Sequence, residues 1–200
     1  MRGPVLRILT FAALVLNITP VAGAQPRPPV ARGLSVAVEP VIPTQLEALL
    51  SAPNVVLVTD YYRIDMRFGP SMRIDAVIVE ETGTRTRVKG LRVQVRDNEN
   101  RSRQEGTSFI DIDELTRLTR AIPAMAEVAA RWTGQDDRQA SELTFTSAGG
   151  FRLAIRQSAR IPRAYLSTGL LDPVVTSIDV TELVTLKLAF EEALTILQRK

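Results

Sequence analysis

The sequence predicts an α+β fold in which two tandem ββββα repeats share one core, with antiparallel sheets and one helix in each repeat. Apolar and polar residues alternate with a period of two across residues 55–96, which indicates strands with one solvated face. Apolar residues recur at helical spacing in residues 112–132 and again after Asp179. The two helix starts are also alike in sequence, and each follows a similar run of short strands.

Residues 1–24 are typical of a secretory signal peptide. Arg2 and Arg7 give a positive start, residues 8–16 form an apolar core apart from Thr10, and residues 22–24 fit a cleavage site. The alternative is an uncleaved anchor, which needs about 20 uninterrupted apolar residues. Four residues break the run: Thr10, Asn17, Thr19 and Pro20. We therefore predict an exported chain, periplasmic or extracellular, with no stable transmembrane span after cleavage.

Residues 25–43 contain five prolines and are predicted to form an extended linker, with a disordered mature N-terminus as the alternative. Residues 44–200 are predicted to form a single α+β domain, with repeat units at about 55–133 and 140–200. At its start, Thr44 and Glu47 have the spacing of a capping box and predict a short helix.

The first hairpin is predicted from alternation on both sides of a turn at residues 69–71. Opposite charges favour a register in which Arg63 faces Asp75 and Asp65 faces Arg73. The same register aligns Ile64 with Ile74 and Met66 with Met72.

The third strand, residues 85–96, has a fault in its alternation. The apolar positions jump from Val88 to Leu91, and the basic positions make the same jump. One extra residue at Gly90 would reconcile both sets, so we predict a β-bulge there. All five basic residues would then lie on one solvent face: Arg85, Arg87, Lys89, Arg92 and Arg96.

A polar loop follows, and then a short strand at Thr107–Ile110 leads into a helix at about Ile112–Trp132, which Pro123 should kink or interrupt. The second repeat is shorter. Its expected strands are residues 142–147, 151–157, 163–168 and 174–178, and Asp179 opens the last helix.

The repeat is clearest where the helices begin. Six residues at the start of the first helix are repeated at the start of the second, at an offset of 178 − 110 = 68 residues. The first set is Ile110, Asp111, Glu114, Leu115, Leu118 and Ala121, and the second is Ile178, Asp179, Glu182, Leu183, Leu186 and Ala189. The resulting ββββα order resembles that of the single-strand nucleic-acid-binding folds of the PUR and Whirly type, in element order alone.

The paired acids of this repeat have two interpretations. Asp followed three residues later by Glu is a capping-box pattern, which we prefer to a pair of catalytic carboxylates. The cluster Asp111, Asp113 and Glu114 could hold a hard cation, but it lacks the glycine and the ligand series of a calcium loop. We therefore predict no metal site.

The composition excludes several chemistries. The chain has no cysteine, so an exported fold must depend on its core rather than on disulfides. It has no histidine, which removes Ser-His-Asp and Cys-His catalysis and disfavours zinc, copper and haem sites. Removal of residues 1–24 takes away two arginines, so the formal net charge falls to 3 − 2 = +1. A strong basic field for nucleic acid is absent as a net property.

These observations predict an exported, non-enzymatic envelope protein without cofactors, which binds a protein or an anionic envelope component. The expected contact residues are the basic face (Arg85, Arg87, Lys89, Arg92 and Arg96) and the exposed aromatic Tyr61. The alternative for that face is a solvated surface whose charges prevent edge-to-edge aggregation. Two other functions stay open: a histidine-free hydrolase that uses carboxylates or a serine, and a nucleic-acid-binding module, which is disfavoured.

Overall fold

A computed structural model describes residues 43–64, 68, 71–97, 104–132, 140–157 and 162–200. The predicted signal peptide, nearly all of the predicted linker and the Asp65–Arg73 and Met66–Met72 pairs lie outside these residues. Within them, no helix is both long enough and apolar enough to span a membrane.

The first repeat is one antiparallel sheet followed by a helix. A short helix α1 (Gln45–Leu50) precedes it. The strands are β1 (Leu57–Ile64), β2 (Met72–Glu81), β3 (Arg87–Arg96) and β4 (Glu105–Asp111), and the helix is α2 (Ile112–Trp132). The strands pair in sequence order. Arg63 faces Asp75 and Ile64 faces Ile74, which confirms this part of the predicted register.

The second repeat has the same order. Its strands are β5 (Ser141–Thr146), β6 (Arg152–Gln157), β7 (Arg163–Thr168) and β8 (Val174–Asp179). They also pair in sequence order as an antiparallel sheet. A 3-10 turn (Val180–Glu182) then leads into α3 (Leu183–Arg199). The predicted α+β fold of two ββββα units is confirmed.

Both repeats contribute to one continuous hydrophobic core. Ile74 and Leu91 from the first sheet, Leu153 from the second sheet, and Leu118 and Leu186 from the two helices are all fully buried in the same cluster. Each sheet alone would leave its apolar face in water, and the shared core removes that exposure. We call the core-facing side of the first sheet its inner face and the opposite side its outer face.

Helix α1 covers one half of the outer face of the first sheet. Leu46 is fully buried there against Val77 and Val79. The predicted capping box is confirmed, because Thr44 accepts from the N–H of Glu47 and Glu47 accepts from the N–H of Thr44. This half of the outer face is therefore a second, small hydrophobic cluster.

The predicted bulge at Gly90 is wrong. Gly90 lies opposite Val77 on one side and Asp111 on the other, and the pairing continues without a break through both ladders. The alternation shifts because burial changes from one face to the other along β3. Val88 packs under α1 on the outer face, whereas Leu91 is buried in the main core on the inner face.

The predictions about the helices have different outcomes. Pro123 does not interrupt α2, which continues to Trp132 with Ile122 and Met125 buried on either side of the proline, so that alternative is wrong. The capping box at Asp179 and Glu182 is confirmed. The corresponding one at Asp111 is wrong, because that carboxylate accepts from the N–H groups of α1 instead.

Candidate functional site

The regular pairing of β3 divides the five basic residues that the sequence placed on one solvent face. Side chains alternate along a strand. Arg87 and Lys89 therefore share the inner side with Leu91, whereas Arg92 and Arg96 lie on the outer face. Arg85 precedes β3 in a turn, where its φ is 59°. The prediction of one basic face is thus wrong.

Lys89 has a structural role on the inner side. Its Nζ donates to the backbone carbonyl of Leu197, at 2.8 Å. This carbonyl belongs to the last turn of α3, where helix carbonyls lack intrahelical partners and the dipole favours a cation. Lys89 therefore stabilises the end of α3 and does not belong to a surface site.

The uncovered half of the outer face carries a polar cluster, which we call the arginine face. Its side chains come from all four strands of the first sheet, and the cross-strand pairing places them side by side. The arginine face consists of Tyr61, Arg63, Arg73, Asp75, Arg92, Gln94, Arg96 and Glu105.

Asp75 is the anchor of the arginine face. Its side chain is 0% exposed, and it accepts from Nη2 of Arg92 at 2.8 Å and from Nε of Arg73 at 3.1 Å. A buried carboxylate is tolerated when charge-assisted hydrogen bonds replace its water. Both arginines are therefore held in position by one carboxylate beneath them.

Tyr61 fixes Arg92 from the other side. The Cζ atom of Arg92 lies 4.1 Å from the centroid of the Tyr61 ring, which is a cation–π contact. Tyr61 itself is 45% exposed. The sequence placed Tyr61 on the solvent side, and the structure does the same while showing that its ring supports an arginine.

A cavity of about 240 Å³ opens at the β1–β2 turn end of the arginine face. Arg63, Arg73 and Arg96 line it, and Glu105 contacts Arg96 with an N–O distance of 3.1 Å. The other lining residues within the described ranges are Ser71, Met72, Gln94 and Val95. Guanidinium groups bind carboxylate and phosphate through paired N–H donors, so the cavity suits an oxyanion.

Charge on the arginine face is unbalanced. Four arginines stand against two carboxylates, so the formal charge among its described residues is 4 − 2 = +2. The imbalance is local, because the chain without residues 1–24 has a formal charge near zero. A local basic surface of this kind favours anions without making the whole molecule basic.

Sequence reasoning missed five members of this site: Arg63, Arg73 and Asp75, which it treated only as charge pairs within the hairpin, and Gln94 and Glu105. The signal that could have found them is the hairpin register itself, because it puts Arg63 and Arg73 on the same face as Tyr61. The predicted bulge did not affect Arg92 and Arg96, which lie on this face in the regular strand as well. Its effect was to add Arg87 and Lys89 wrongly to the same face.

The acids that the sequence offered for catalysis or cation binding, Asp111, Asp113 and Glu114, make other contacts in the structure. Asp111 accepts from the N–H groups of Gln45 and Leu46, and Glu114 accepts from the N–H of Ala148 at 2.9 Å. Asp113 pairs with Arg117 on the surface of α2. Within the described ranges, no three His, Cys, Asp or Glu side chains are grouped to hold a metal ion.

The outer face of the second sheet has a related but better balanced cluster. Glu142 contacts both Arg152 and Arg156, and the Cζ atom of Arg156 lies 5.4 Å from the centroid of the Tyr165 ring. One carboxylate lies between two arginines there. The first sheet is therefore the stronger candidate for binding an anion.

Fold and site together define an α+β protein of two ββββα units with a basic face on its first sheet. No family model and no curated protein matches the chain. Among solved structures it is similar to the crystal structure of WHY1 from Arabidopsis thaliana, at 12% identity and a TM-score of 0.28, with 73% of this chain and 86% of that chain covered. A likeness at this level carries no functional argument.

Proposed function

We propose that this chain is an exported, non-enzymatic envelope protein that binds an anionic partner through the arginine face. One observation carries the proposal: Arg63, Arg73 and Arg96, from three adjacent strands, line a single cavity, and among the residues that the structure describes the one carboxylate in its lining is Glu105. Like charges on neighbouring positions of one sheet face are destabilising. Among the described residues, Asp75 and Glu105 offset only part of the positive charge, so further negative charge would stabilise this surface. An anionic ligand supplies that charge.

A binding role is favoured over catalysis by the chemistry of the available side chains. The chain has no histidine and no cysteine, so a base or nucleophile would have to come from carboxylates, serine or lysine. The repeated acids Asp111 and Asp179 accept from backbone N–H groups, which gives both a structural role. Neither is left to act as a general base.

Export is proposed from the leader sequence alone. Its positive start, apolar centre and small residues before Gln25 are the features of a cleaved signal peptide. Intact-mass measurement of the protein recovered from outside the cytoplasm tests this, and we expect the loss of residues 1–24. A full-length mass in that fraction would contradict cleavage.

Binding by the arginine face is tested by retention of envelope material on immobilised protein. The variant Arg63→Gln/Arg96→Gln removes two charges of the cavity but leaves the Asp75 cluster in place. Its matched control is Arg87→Gln/Arg163→Gln, which removes the same charge from strand ends outside the arginine face. We expect wild type and control to retain the same component and the cavity variant to lose it.

Circular dichroism and thermal melting of the three proteins establish that each is folded. Retention of the same component by all three would overturn the assignment of the arginine face. The same result would favour another surface of the protein as the binding site.

A further inference from the structure

We infer that the cavity of the arginine face binds the dianionic phosphate group of a phosphomonoester. The inference rests on the proposed function and names its ligand class. Its basis is the position of three guanidinium groups, the donors they have left, the size of the cavity and its charge.

The three cavity arginines form a diagonal across the sheet. In the β1–β2 pairing, Arg63 faces Asp75, which lies two residues after Arg73 in β2. In the β2–β3 pairing, Arg73 faces Gln94, which lies two residues before Arg96 in β3. Diagonal neighbours on one face of a sheet are about 7–8 Å apart, within reach of long side chains. Three guanidinium groups can therefore approach one central group from three strands.

Most N–H donors of these arginines are unused. Arg73 reaches Asp75 through Nε and Arg96 reaches Glu105 through Nη2. The guanidinium group of Arg63 makes no hydrogen bond or ion pair with the residues that the structure describes. Arginine has five N–H donors in a planar fork. The cavity consequently offers several donors from different directions, which matches the oxygens of a tetrahedral phosphate better than a planar carboxylate.

Cavity size limits what can bind. Pockets for whole drug-sized ligands enclose about 300–1,000 Å³, whereas this cavity encloses about 240 Å³. It accommodates one charged group with a short attached portion, while the remainder of the ligand stays outside. A terminal phosphate fits this description.

The charge of the site selects the ionic form. The described residues of the arginine face sum to +2 because Asp75 and Glu105 neutralise two of the four arginines. A phosphomonoester carries close to two negative charges above its second pKa of about 6, while carboxylates and phosphodiesters carry one. The dianion therefore balances the site, and the other two classes leave a positive excess.

Isothermal titration calorimetry of the full chain with methyl phosphate tests the inference, with dimethyl phosphate and acetate as monoanionic controls. We expect methyl phosphate to bind at least about tenfold more tightly than either control. Arg63→Gln should weaken binding about tenfold or more, because it removes one charge-assisted donor group. Arg87→Gln, on the inner side of the same sheet, should leave the affinity unchanged.

A pH series adds a readout that a structural role would not change. The charged groups among the described residues of the face are four arginines and two carboxylates: Arg63, Arg73, Arg92, Arg96, Asp75 and Glu105. The chain contains no histidine to titrate near pH 6. Affinity for methyl phosphate should rise as pH increases from about 5 to about 7, following the second ionisation of the phosphate, while affinity for sulfate stays constant.

Vesicles distinguish the source of the phosphate. Binding to phosphatidylcholine vesicles with added phosphatidic acid, but not with phosphatidylglycerol, assigns the group to a lipid headgroup. Binding of methyl phosphate without vesicle binding assigns it to a soluble ester. Equal affinity for methyl phosphate and dimethyl phosphate, or unchanged affinity in Arg63→Gln, overturns the inference, and the former result favours a phosphodiester polymer.

Failure of this inference is separable from failure of the proposed function. If wild-type protein retains an envelope component that Arg63→Gln/Arg96→Gln loses, the arginine face binds a partner. If methyl phosphate neither binds nor displaces that component, the partner is anionic through another group, and only the phosphate assignment fails.

Discussion

The Cδ1 atom of Leu46 lies 2.5 Å from the position that a Cβ atom on Gly90 would occupy. Helix α1 therefore packs directly on the backbone of β3 at this point. Glycine is required here for close approach, since the strand is regular and its pairing is continuous. The contact explains why residue 90 is glycine. It also explains why the apolar side chains of β3 change from the outer face at Val88 to the inner face at Leu91.

Gly90→Ala should lower the free energy of unfolding by about 1–3 kcal/mol, the cost of overpacking a close contact. The added methyl would meet Leu46 and also the carbonyl oxygen of Ile110. Chemical denaturation monitored by circular dichroism measures the change. Gly83→Ala is the matched control, because no atom lies within 4 Å of its added methyl. Equal stability of the two variants would show that α1 does not pack as described.

Asp111→Ala should release α1 from the sheet. The carboxylate accepts from the N–H of Gln45 at 2.7 Å and from the N–H of Leu46 at 3.2 Å. Loss of a helix cap costs about 0.5–2 kcal/mol, and we expect the upper end because the Leu46 side chain is buried. Hydrogen exchange at Gln45 and Leu46 should accelerate, while exchange at Val93 in the centre of the sheet changes less.

The control for this prediction is Asp113→Ala. Asp113 pairs with Arg117 one helical turn away, and both side chains are more than half exposed. Such pairs contribute about 0.3–0.5 kcal/mol. If Asp113→Ala destabilises the protein as much as Asp111→Ala does, the long-range cap is not the reason for the effect.

Asp75→Ala should cost about 3 kcal/mol of stability, near the lower end for breaking a buried ion pair. The lower end applies because Arg73 and Arg92 remain 47% and 18% exposed and can be partly hydrated. Glu105→Ala removes the exposed partner of Arg96 and should cost at most about 1 kcal/mol. Thermal melting of both variants tests the difference, and equal losses would contradict the role of Asp75 as an anchor.

The order of elements could be predicted from the sequence because each element follows a local rule. Alternation predicted the strands, helical spacing predicted α2, and the spacing of Thr44 and Glu47 predicted α1. The register of β1 and β2 near Arg63 followed from opposite charges. None of these features depends on contacts between distant segments.

The composition of the candidate site could not be predicted because it depends on such contacts. A one-residue error at Gly90 exchanges the faces of every side chain before it, which is why Arg87 and Lys89 were grouped with Arg92. The continuous pairing of β3 shows that the strand is regular, and the packing of Leu46 onto Gly90 gives the reason for the glycine. Likewise, Asp111 has the local pattern of a cap for α2, yet it caps a helix more than sixty residues earlier in the chain.

Acid should destabilise the protein partly through Glu142. The hydroxyl of Thr144 donates to this carboxylate at 2.8 Å, and with Arg156 and Arg152 beside it the pKa of Glu142 lies below its ordinary value of 4.5. A folded pKa below the unfolded one contributes stability at higher pH, and that contribution is lost as pH falls through the folded value. The loss should therefore occur below about pH 4.5.

Glu142→Gln removes this contribution, so it should lower the melting temperature at about pH 7 and have less effect at a pH below the folded pKa, which itself lies below 4.5. Thr144→Val should reproduce part of the change, because it removes the first cause of the lowered pKa. Thr146→Val, on the same face of β5, is the matched control. A Glu142→Gln difference that is the same at both pH values would refute the assignment, since a charge-independent packing effect does not vary with protonation.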